Sequence, residues 1–270
     1  MRGLTLDTLA SGDGWSVANV LCGSGPRDCP YEERHERTSI AIVAEGSFEY
    51  HAAGRACTLT PGSLLLGNTG QRFECSHRHG IGDRCISFAY DPEYFDRLAF
   101  DAGARSAKRA FPADRVPPLR ELSGLVARAL TGNHAWDEIS VELAAFTVQL
   151  VRQLPPLGAN PPTSSTARIA KVIRLIERHP EDPHDLATLA RHARLSDYHF
   201  LRVFQSVTGL TPHQYVLRTR LREAAKRLAS SPARILDIAL DCGFGDVSNF
   251  NRAFRAEFGL TPRMFRSESA

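Results

Sequence analysis

The sequence predicts an α+β protein of two domains. The first is a β-barrel with a helical hairpin, and the second is all-α with two helix-turn-helix units. Three observations carry this. Short β-type runs broken by Gly and Pro turns fill the chain up to Tyr90. Gln153 to Thr166 reads QLPPLGANPPTSST, a Pro-rich stretch suited to a linker. A segment near the C-terminus is written twice, as LARHARLSDYHFLRVFQSVTGLTPHQY from Leu189 and IALDCGFGDVSNFNRAFRAEFGLTPRMF from Ile238. The expected division is a β-rich domain over residues 1–155, a linker over 156–166 and a helical domain over 167–270.

The strands come first. Ser39–Val43 is an apolar β-type run, Ser47–Tyr50 alternates, and Ala53-Gly54-Arg55 turns the chain. Ala56–Leu59 and Leu64–Leu66 resume on either side of the Pro61-Gly62-Ser63 turn. Gln71–His79 alternates and Arg84–Tyr90 is a further strand. Short strands between such turns argue a sandwich or barrel. Two helices follow. Leu119, Leu122, Val126 and Leu130 mark one, and Ile139, Leu143, Phe146, Leu150 and Leu154 mark the other, between Trp136 and Leu154. With Thr131-Gly132-Asn133 as their turn they predict an antiparallel hairpin, either capping the sheet or forming a dimer surface.

The rest reads as helix. Ala167–His179 places Ile169, Val172, Ile173 and Ile176 on one face and stops before Pro180. A short helix over Leu186–Arg194 is followed by one that Ser196 caps and Gly209 ends. Thr211-Pro212 opens a long helix to about Ala229, which Ser230-Ser231-Pro232 breaks. Arg234–Cys242, closed by Gly243, and Asp246–Phe258, closed by Gly259, repeat the short-then-longer pattern, and Thr261-Pro262 starts the last turn. Short helix, tight turn and longer helix is the helix-turn-helix pattern, here in two copies joined by one helix. The copies run at an offset of 49 up to Asp197 and 50 from Phe200 onward.

Net charge is only +3, but residues 163–270 hold 17 Lys+Arg against 11 Asp+Glu, leaving residues 1–162 net acidic. A basic C-terminal half rich in arginine suits contact with nucleic acid, whose phosphates and guanines take bidentate guanidinium contacts. No apolar run reaches the roughly 20 residues of a membrane span, and MRGLTLDTLASGDGW does not read as a secretory signal. A cytoplasmic protein with reduced thiols at its six cysteines, and no membrane partner, is therefore expected.

On the first repeated longer helix Phe200, Val203, Phe204 and Val207 share one face, leaving Tyr198, Arg202, Gln205 and Ser206 outside. On the second, Phe250, Ala253, Phe254 and Phe258 are inside, and Ser248, Arg252 and Arg255 are outside, flanked by Asn249 and Asn251. Both outer faces are basic and rich in groups that bond base edges. One such helix is common in any protein. Two matched copies, each with an arginine in the same place, point to equivalent contacts with a periodic partner, double-stranded DNA.

From about Ala167 to Phe265 the chain resembles the DNA-binding domain of the AraC/XylS family of bacterial transcription regulators. The resemblance rests on LARHARLS…FLRVF…TGLTPHQY, RLREAAKRL and the closing IALDCGFGDVSNFNRAFRAEFGLTPRMFR. It implies two recognition helices in successive major grooves, about 34 Å apart. Carried over by position, the first presents Tyr198, His199, Leu201 and Arg202, and the second Val247, Ser248, Asn249 and Arg252. Arg202 and Arg252 are the expected base contacts, and Gln205 and Arg255 the expected phosphate contacts. Leu201 and Val247 meet a thymine methyl or simply pack. Arg194 stands where many relatives have a turn glycine, and Glu257 lies close to the buried face.

The N-terminal half resembles, more loosely, the cupin-like sensor domain of such regulators, through Glu45-Gly46-Ser47-Phe48, Gly54-Arg55 and LTPGSLLL from Leu59. That implies a small barrel binding a small-molecule effector, nearby helices that form a homodimer, nucleoid association, and RNA polymerase as a partner if the protein is an activator. Cys75, His77 and His79 recur at period two, so on a strand they face one side and offer three ligands to zinc or another divalent metal. His35, Cys57, Cys22, Cys29 or Cys85 would be the fourth. Ordinary packing of cysteines beside a solvated His-Arg-His loop explains the same residues. Three function classes follow: an effector-controlled DNA-binding regulator, which is not an enzyme; a metal- or redox-responsive regulator using Cys75, His77 and His79; and a cupin enzyme fused to a DNA-binding domain. The last needs a complete metal site, and the sequence shows at most part of one.

Overall fold

A computed structural model describes residues 3–77, 82–104, 110–131, 135–153 and 163–269. The strands and helices run in the order β1 (Leu4–Gly12), β2 (Trp15–Cys22), β3 (Glu32–Arg34), β4 (Thr38–Gly46), β5 (Phe48–Ala52), β6 (Arg55–Leu59), β7 (Leu64–Gly67), β8 (Arg72–Ser76), β9 (Asp83–Tyr90), α1 (Pro92–Asp101) and β10 (Arg115–Val116). There follow α2 (Arg120–Thr131), α3 (Trp136–Val151), α4 (Thr163–Arg178), α5 (Leu186–Ala193), α6 (Asp197–Thr208), α7 (Pro212–Ser230), α8 (Ile235–Asp241), α9 (Val247–Phe258) and α10 (Pro262–Ser269). No described helix is long and apolar enough to cross a membrane.

The strands form two antiparallel sheets, ordered β1-β2-β9-β4-β7-β10 and β3-β8-β5-β6. Ala41 and Val43 of β4, Leu65 of β7 and Cys85 of β9 pack with Phe48, Tyr50, Ala52 and Leu59 of the smaller sheet. The alternate residues Ile40 and Ile42 are also fully buried. Burial on both faces is why Ser39–Val43 reads as a continuous apolar run rather than an alternating one. On the β9 strand Phe88 meets Trp136 of α3 at 6.0 Å between ring centroids, and the Tyr90 hydroxyl donates to the Ser140 carbonyl at 2.9 Å. The helix after Trp136 therefore caps the larger sheet.

The hairpin expected from Leu119 to Leu154 does not form as one element. The chain divides into a unit of residues 1–118 with 135–160 and a unit of residues 119–134 with 161–270. So α3 belongs with the sheets and α2 with the helices. Helical periodicity is present in both, but it tells only that a face is apolar, not what covers it. The residues of the expected turn, Gly132 and Asn133, lie outside the described ones. Helix α4 begins at Thr163, so the end of the expected 156–166 linker is helical, and its start also lies outside.

In the helical unit α4, α5 and α6 bury Ile169, Val172, Ile173, Ile176, Phe200 and Phe204 in one core. Helices α8 and α9 bury Phe244, Phe250, Phe254 and Phe258 in a second core, to which α2 contributes Ala127. Helix α7 feeds both, with Tyr215 and Val216 in the first core and Leu221, Ala224, Ala225 and Leu228 in the second.

Candidate nucleic-acid interface and effector pocket

The duplication is visible in geometry. Ser196 caps α6 through the His199 N–H, and Asp246 caps α9 through the Asn249 N–H at 2.7 Å. Gly209 and Gly259 end these helices, both at φ +79°. Phe204 meets Tyr215 edge-on at 5.6 Å, and their counterparts Phe254 and Phe265 meet edge-on at 5.4 Å. The caps Ser196 and Asp246 are 50 apart, so the extra residue of the second copy is Gly245 in its turn, and the offset changes before Ser196 rather than after Asp197. In the first turn Arg194 takes the left-handed conformation, φ +54°, where the second has Gly243 at φ +82°. A Cβ at Gly243 would meet the Glu181 carbonyl oxygen at 2.7 Å, so that turn needs glycine.

The outer faces are where the sequence places them. Tyr198, His199, Arg202 and Gln205 are exposed on α6, and Ser248, Asn249, Arg252 and Arg255 on α9. Leu201 and Val247 are half-buried. Each matched arginine is held by a neighbour one turn back. The Arg202 guanidinium lies 5.9 Å from the centroid of the Tyr198 ring, and Arg252 donates to Asn249 Oδ1 at 3.1 Å. Such contacts lower the rotamer entropy that an arginine loses when it docks.

Three polar clusters, none apparent in the sequence, tie α7 to its neighbours: to the loop before α5 and the turn before α9, to α4, and to α9 itself. Arg220 donates to the carbonyls of Pro180 at 2.7 Å and Asp182 at 2.8 Å, before α5, and to that of Gly243 at 2.8 Å, in the second turn. One α7 side chain thus ties the loop leading into the first helix-turn-helix unit to the turn of the second. Glu177 of α4 accepts from the Tyr215 hydroxyl at 2.7 Å and from Arg222 at 2.9 Å. Glu257, near the buried face of α9, pairs with Arg218 of α7 at 3.2 Å and accepts from the Ser123 hydroxyl of α2. Arg120 of α2 donates to the Ala256 carbonyl. The acidic residue that looked misplaced in the sequence is an anchor.

Between the two sheets lies a cavity of about 350 Å³. At one part of its wall stands His35, whose Nε2 is 3.0 Å from the Tyr50 hydroxyl and whose Nδ1 is 3.1 Å from the Ser39 hydroxyl. Its ring stacks on Phe73 at 4.2 Å, over Gly67, where any Cβ would overlap it. Burial lowers the His35 pKa to about 4, so the imidazole is neutral.

At another part Cys22, His77 and Asp83 converge, with a thiol sulfur, an imidazole nitrogen and a carboxylate oxygen all within 4.8 Å of one another. Strand register explains this. Cys22 is directly opposite Asp83, and Val20 opposite Cys85, so the four side chains share the inner face. A Cβ at Gly82 would meet the Cys22 carbonyl oxygen at 2.6 Å, so a glycine before Asp83 permits that approach. His77 Nε2 is 2.5 Å from Asp83 Oδ1, and Cys85 donates to Asp83 Oδ2 at 3.4 Å. Burial disfavours the His77 imidazolium, but the hydrogen bonds and charges of Asp83 and Cys22 outweigh it and lift its pKa to about 9. The hydrogen bond to His77 lowers that of Cys22, and burial pushes Cys75 and Cys85 well up.

Of the expected Cys75/His77/His79 set, this group holds His77. Strand β8 ends at Ser76, so period-two facing does not reach His77, and His79 lies outside the described residues. Cys75 and His77 both line the cavity, but of the two only His77 belongs to the converging group, where Cys22 and Asp83 stand with it. Asp83 was invisible because the sequence gives no register and β2 was not read as a strand.

A family model described as a helix-turn-helix domain matches residues 189–268, and one described as an AraC-like ligand binding domain matches residues 27–154. The transcriptional activator RhaS of Escherichia coli is 36% identical over 97% of this chain and 97% of its own. The probable transcriptional regulator LumQ of Photobacterium leiognathi is 30% identical over 86% of this chain and 90% of its own. The DNA-binding domain of AdpA, a global transcriptional factor solved in complex with a target DNA, is 30% identical, with a TM-score of 0.36, over 37% of this chain and 90% of that one. The chain belongs to the AraC/XylS family. It is a DNA-binding transcription regulator with an N-terminal ligand-binding domain. In this AraC/XylS regulator the ligand-binding match, 27–154, runs through α2, although α2 packs with the helices that carry the helix-turn-helix units.

Proposed function

We propose that this regulator reads an asymmetric DNA site with α6 and α9 and activates transcription in response to a small molecule held between its sheets. The observation that carries the reading is the pair of helices α6 and α9, each capped by a side chain that accepts from the third residue's N–H, each ended by a left-handed glycine and each with its exposed arginine. Arg202 and Arg252 contact bases, with Tyr198, His199, Ser248 and Asn249 beside them. Gln205 and Arg255, one turn further along, contact phosphate. Leu201 and Val247, being half-buried, pack at the rim and offer a methyl contact at most. The two faces share their arginine but differ elsewhere, as Tyr198 against Ser248 and Gln205 against Arg255, so the two half-sites differ in sequence. Activation is supported by RhaS, which is named an activator, and it makes RNA polymerase the further partner, in a bacterial cytoplasm. The cavity of about 350 Å³ suits an effector of small-molecule size.

Footprinting on the chain's own promoter region tests the reading. Arg202→Ala and Arg252→Ala are each expected to cost about 1–3 kcal/mol of specific binding and to relax preference in different halves of the footprint. Unchanged specific binding in both variants would overturn the assignment of α6 and α9.

A further inference from the structure

We propose that Cys22, His77 and Asp83 bind one zinc-like divalent ion at the wall of the N-terminal cavity. This deepens the reading of that cavity as the effector site, and its regulatory consequence rests on it. The argument is geometric. The three donor atoms lie within 4.8 Å of one another, and His77 and Asp83 are almost sealed from solvent, with side-chain exposures of 3% and 7%. A thiolate, an imidazole and a carboxylate are the donor types of a zinc site rather than of a magnesium or calcium site. Zinc distances of about 2.0–2.3 Å place tetrahedral ligand atoms roughly 3.3–3.8 Å apart. Donor atoms within 4.8 Å of one another are near that spacing, and the 2.5 Å contact between His77 and Asp83 opens by about 1 Å as the ion replaces the shared proton.

The frame holds two of the three ligands in advance. Cys22 and Asp83 are locked side by side by strand pairing, and Gly46 faces Asp83 from the other side. Cys85 donates to the second Asp83 oxygen, a partner of the kind that orients ligating carboxylates. Three protein ligands leave a fourth position, and both Cys22 and Asp83 line the cavity. The site is thus of the open kind, in which the ion presents a coordination position to whatever enters. Because β2 and β9 lie in the larger sheet while His77 directly follows β8 of the smaller one, the ion also bridges the two sheets.

The test uses the full chain, expressed without a histidine tag. Elemental analysis after dialysis against zinc and then against a weak chelator is expected to give about one zinc per chain. Cobalt substitution is expected to give a thiolate-to-cobalt charge-transfer band. Cys22→Ser, His77→Gln and Asp83→Asn should each lose the stoichiometric ion, and Cys22→Ser should also lose the band, while exposed Cys29→Ser keeps both. Wild-type protein that holds no ion, an ion without the thiolate band, or an ion retained by all three variants overturns the proposal. If a variant fails to fold, the wild-type content and band decide alone. Operator binding is measured on the same samples. Zinc-loaded protein that ignores its operator counts against the DNA reading, whereas operator-binding protein without zinc counts against this one.

Discussion

Replacing Glu257 with alanine probes whether α2 and α9 are joined by polar contacts or merely adjacent. Glu257 is 10% exposed at its side chain and Arg218 is 14% exposed, and they pair at 3.2 Å. Burial lowers the Arg218 pKa, which shows that its charge is already poorly solvated, and the nearby charges of Glu257 and Glu121 counter it. A charge-assisted hydrogen bond contributes about 1.5–3 kcal/mol, and breaking a fully buried pair costs about 3–5 kcal/mol. The residual exposure and the remaining charge of Glu121 place the expected loss at about 2–3 kcal/mol, including the bond from Ser123. For a unit of this size that lowers its melting temperature by about 10 °C. The assay separates the two units by probe. Both tryptophans, Trp15 and Trp136, lie in the sheet unit, whereas most helix lies in the other. Far-ultraviolet circular dichroism is therefore expected to report a destabilised helical transition, with the tryptophan fluorescence transition left in place. A helical transition unmoved by Glu257→Ala would refute the anchor.

Arg255→Ala should weaken operator binding about equally on all sequences and lower the slope of log affinity against log salt by about 1, as loss of one phosphate contact requires; a sequence-dependent effect would instead make Arg255 a base contact. Arg194→Gly should raise stability by about 1 kcal/mol in urea melts, because Arg194 sits at φ +54° and its backbone contact, the carbonyl that accepts from Arg168, survives the change. For His35 the sign follows from a folded pKa near 4 against an ordinary 6.5. Above 6.5 both states are neutral and pH has no effect through this group. As pH falls from 6.5 towards 4 the unfolded chain takes up the proton first, so stability is lost, by about 2 kcal/mol after allowing for partial exposure. His35→Gln should flatten that part of the fluorescence-monitored stability profile, and an unchanged slope would assign it elsewhere.

What was legible follows what each signal measures. From α5 onward the helix ends were readable to within a residue or two because caps and apolar periodicity are local. Ser196, Thr211, Gly209 and Gly259 each act within a turn of their own position. Strands β1 and β2 were missed because β1 is exposed along nearly its whole length and offers no alternation to read. Helix α1 opens at Pro92, a legible start, but buries only Phe95 and Ala99. The Cys22–Asp83 pairing and the reach of Arg220 from Pro180 to Gly243 depend on register and on tertiary approach, which no spacing in the chain encodes. Arg202 and Arg252 were found by a different route, since a duplication reports equivalence without requiring any fold.

Sequence order and packing order part at α2, and that has a mechanical consequence. The helix is flanked on both sides by chain that belongs to the sheet unit, yet it puts Ala127 into the aromatic core behind α9 and bonds to Ala256 and Glu257 at the end of α9. It is therefore not a passive spacer. A change in the sheet unit reaches α2 through the two chain connections that flank it. Breaking the contacts of α2 at Glu257 costs about 2–3 kcal/mol, while coupling energies between sites are typically about 1–3 kcal/mol. The two are of the same size. An effector whose binding displaced α2 would therefore have to work against a contact of that size. Glu257→Ala should accordingly narrow the difference in operator affinity between effector-bound and effector-free protein, and an undiminished difference would show that the influence reaches α9 by another route.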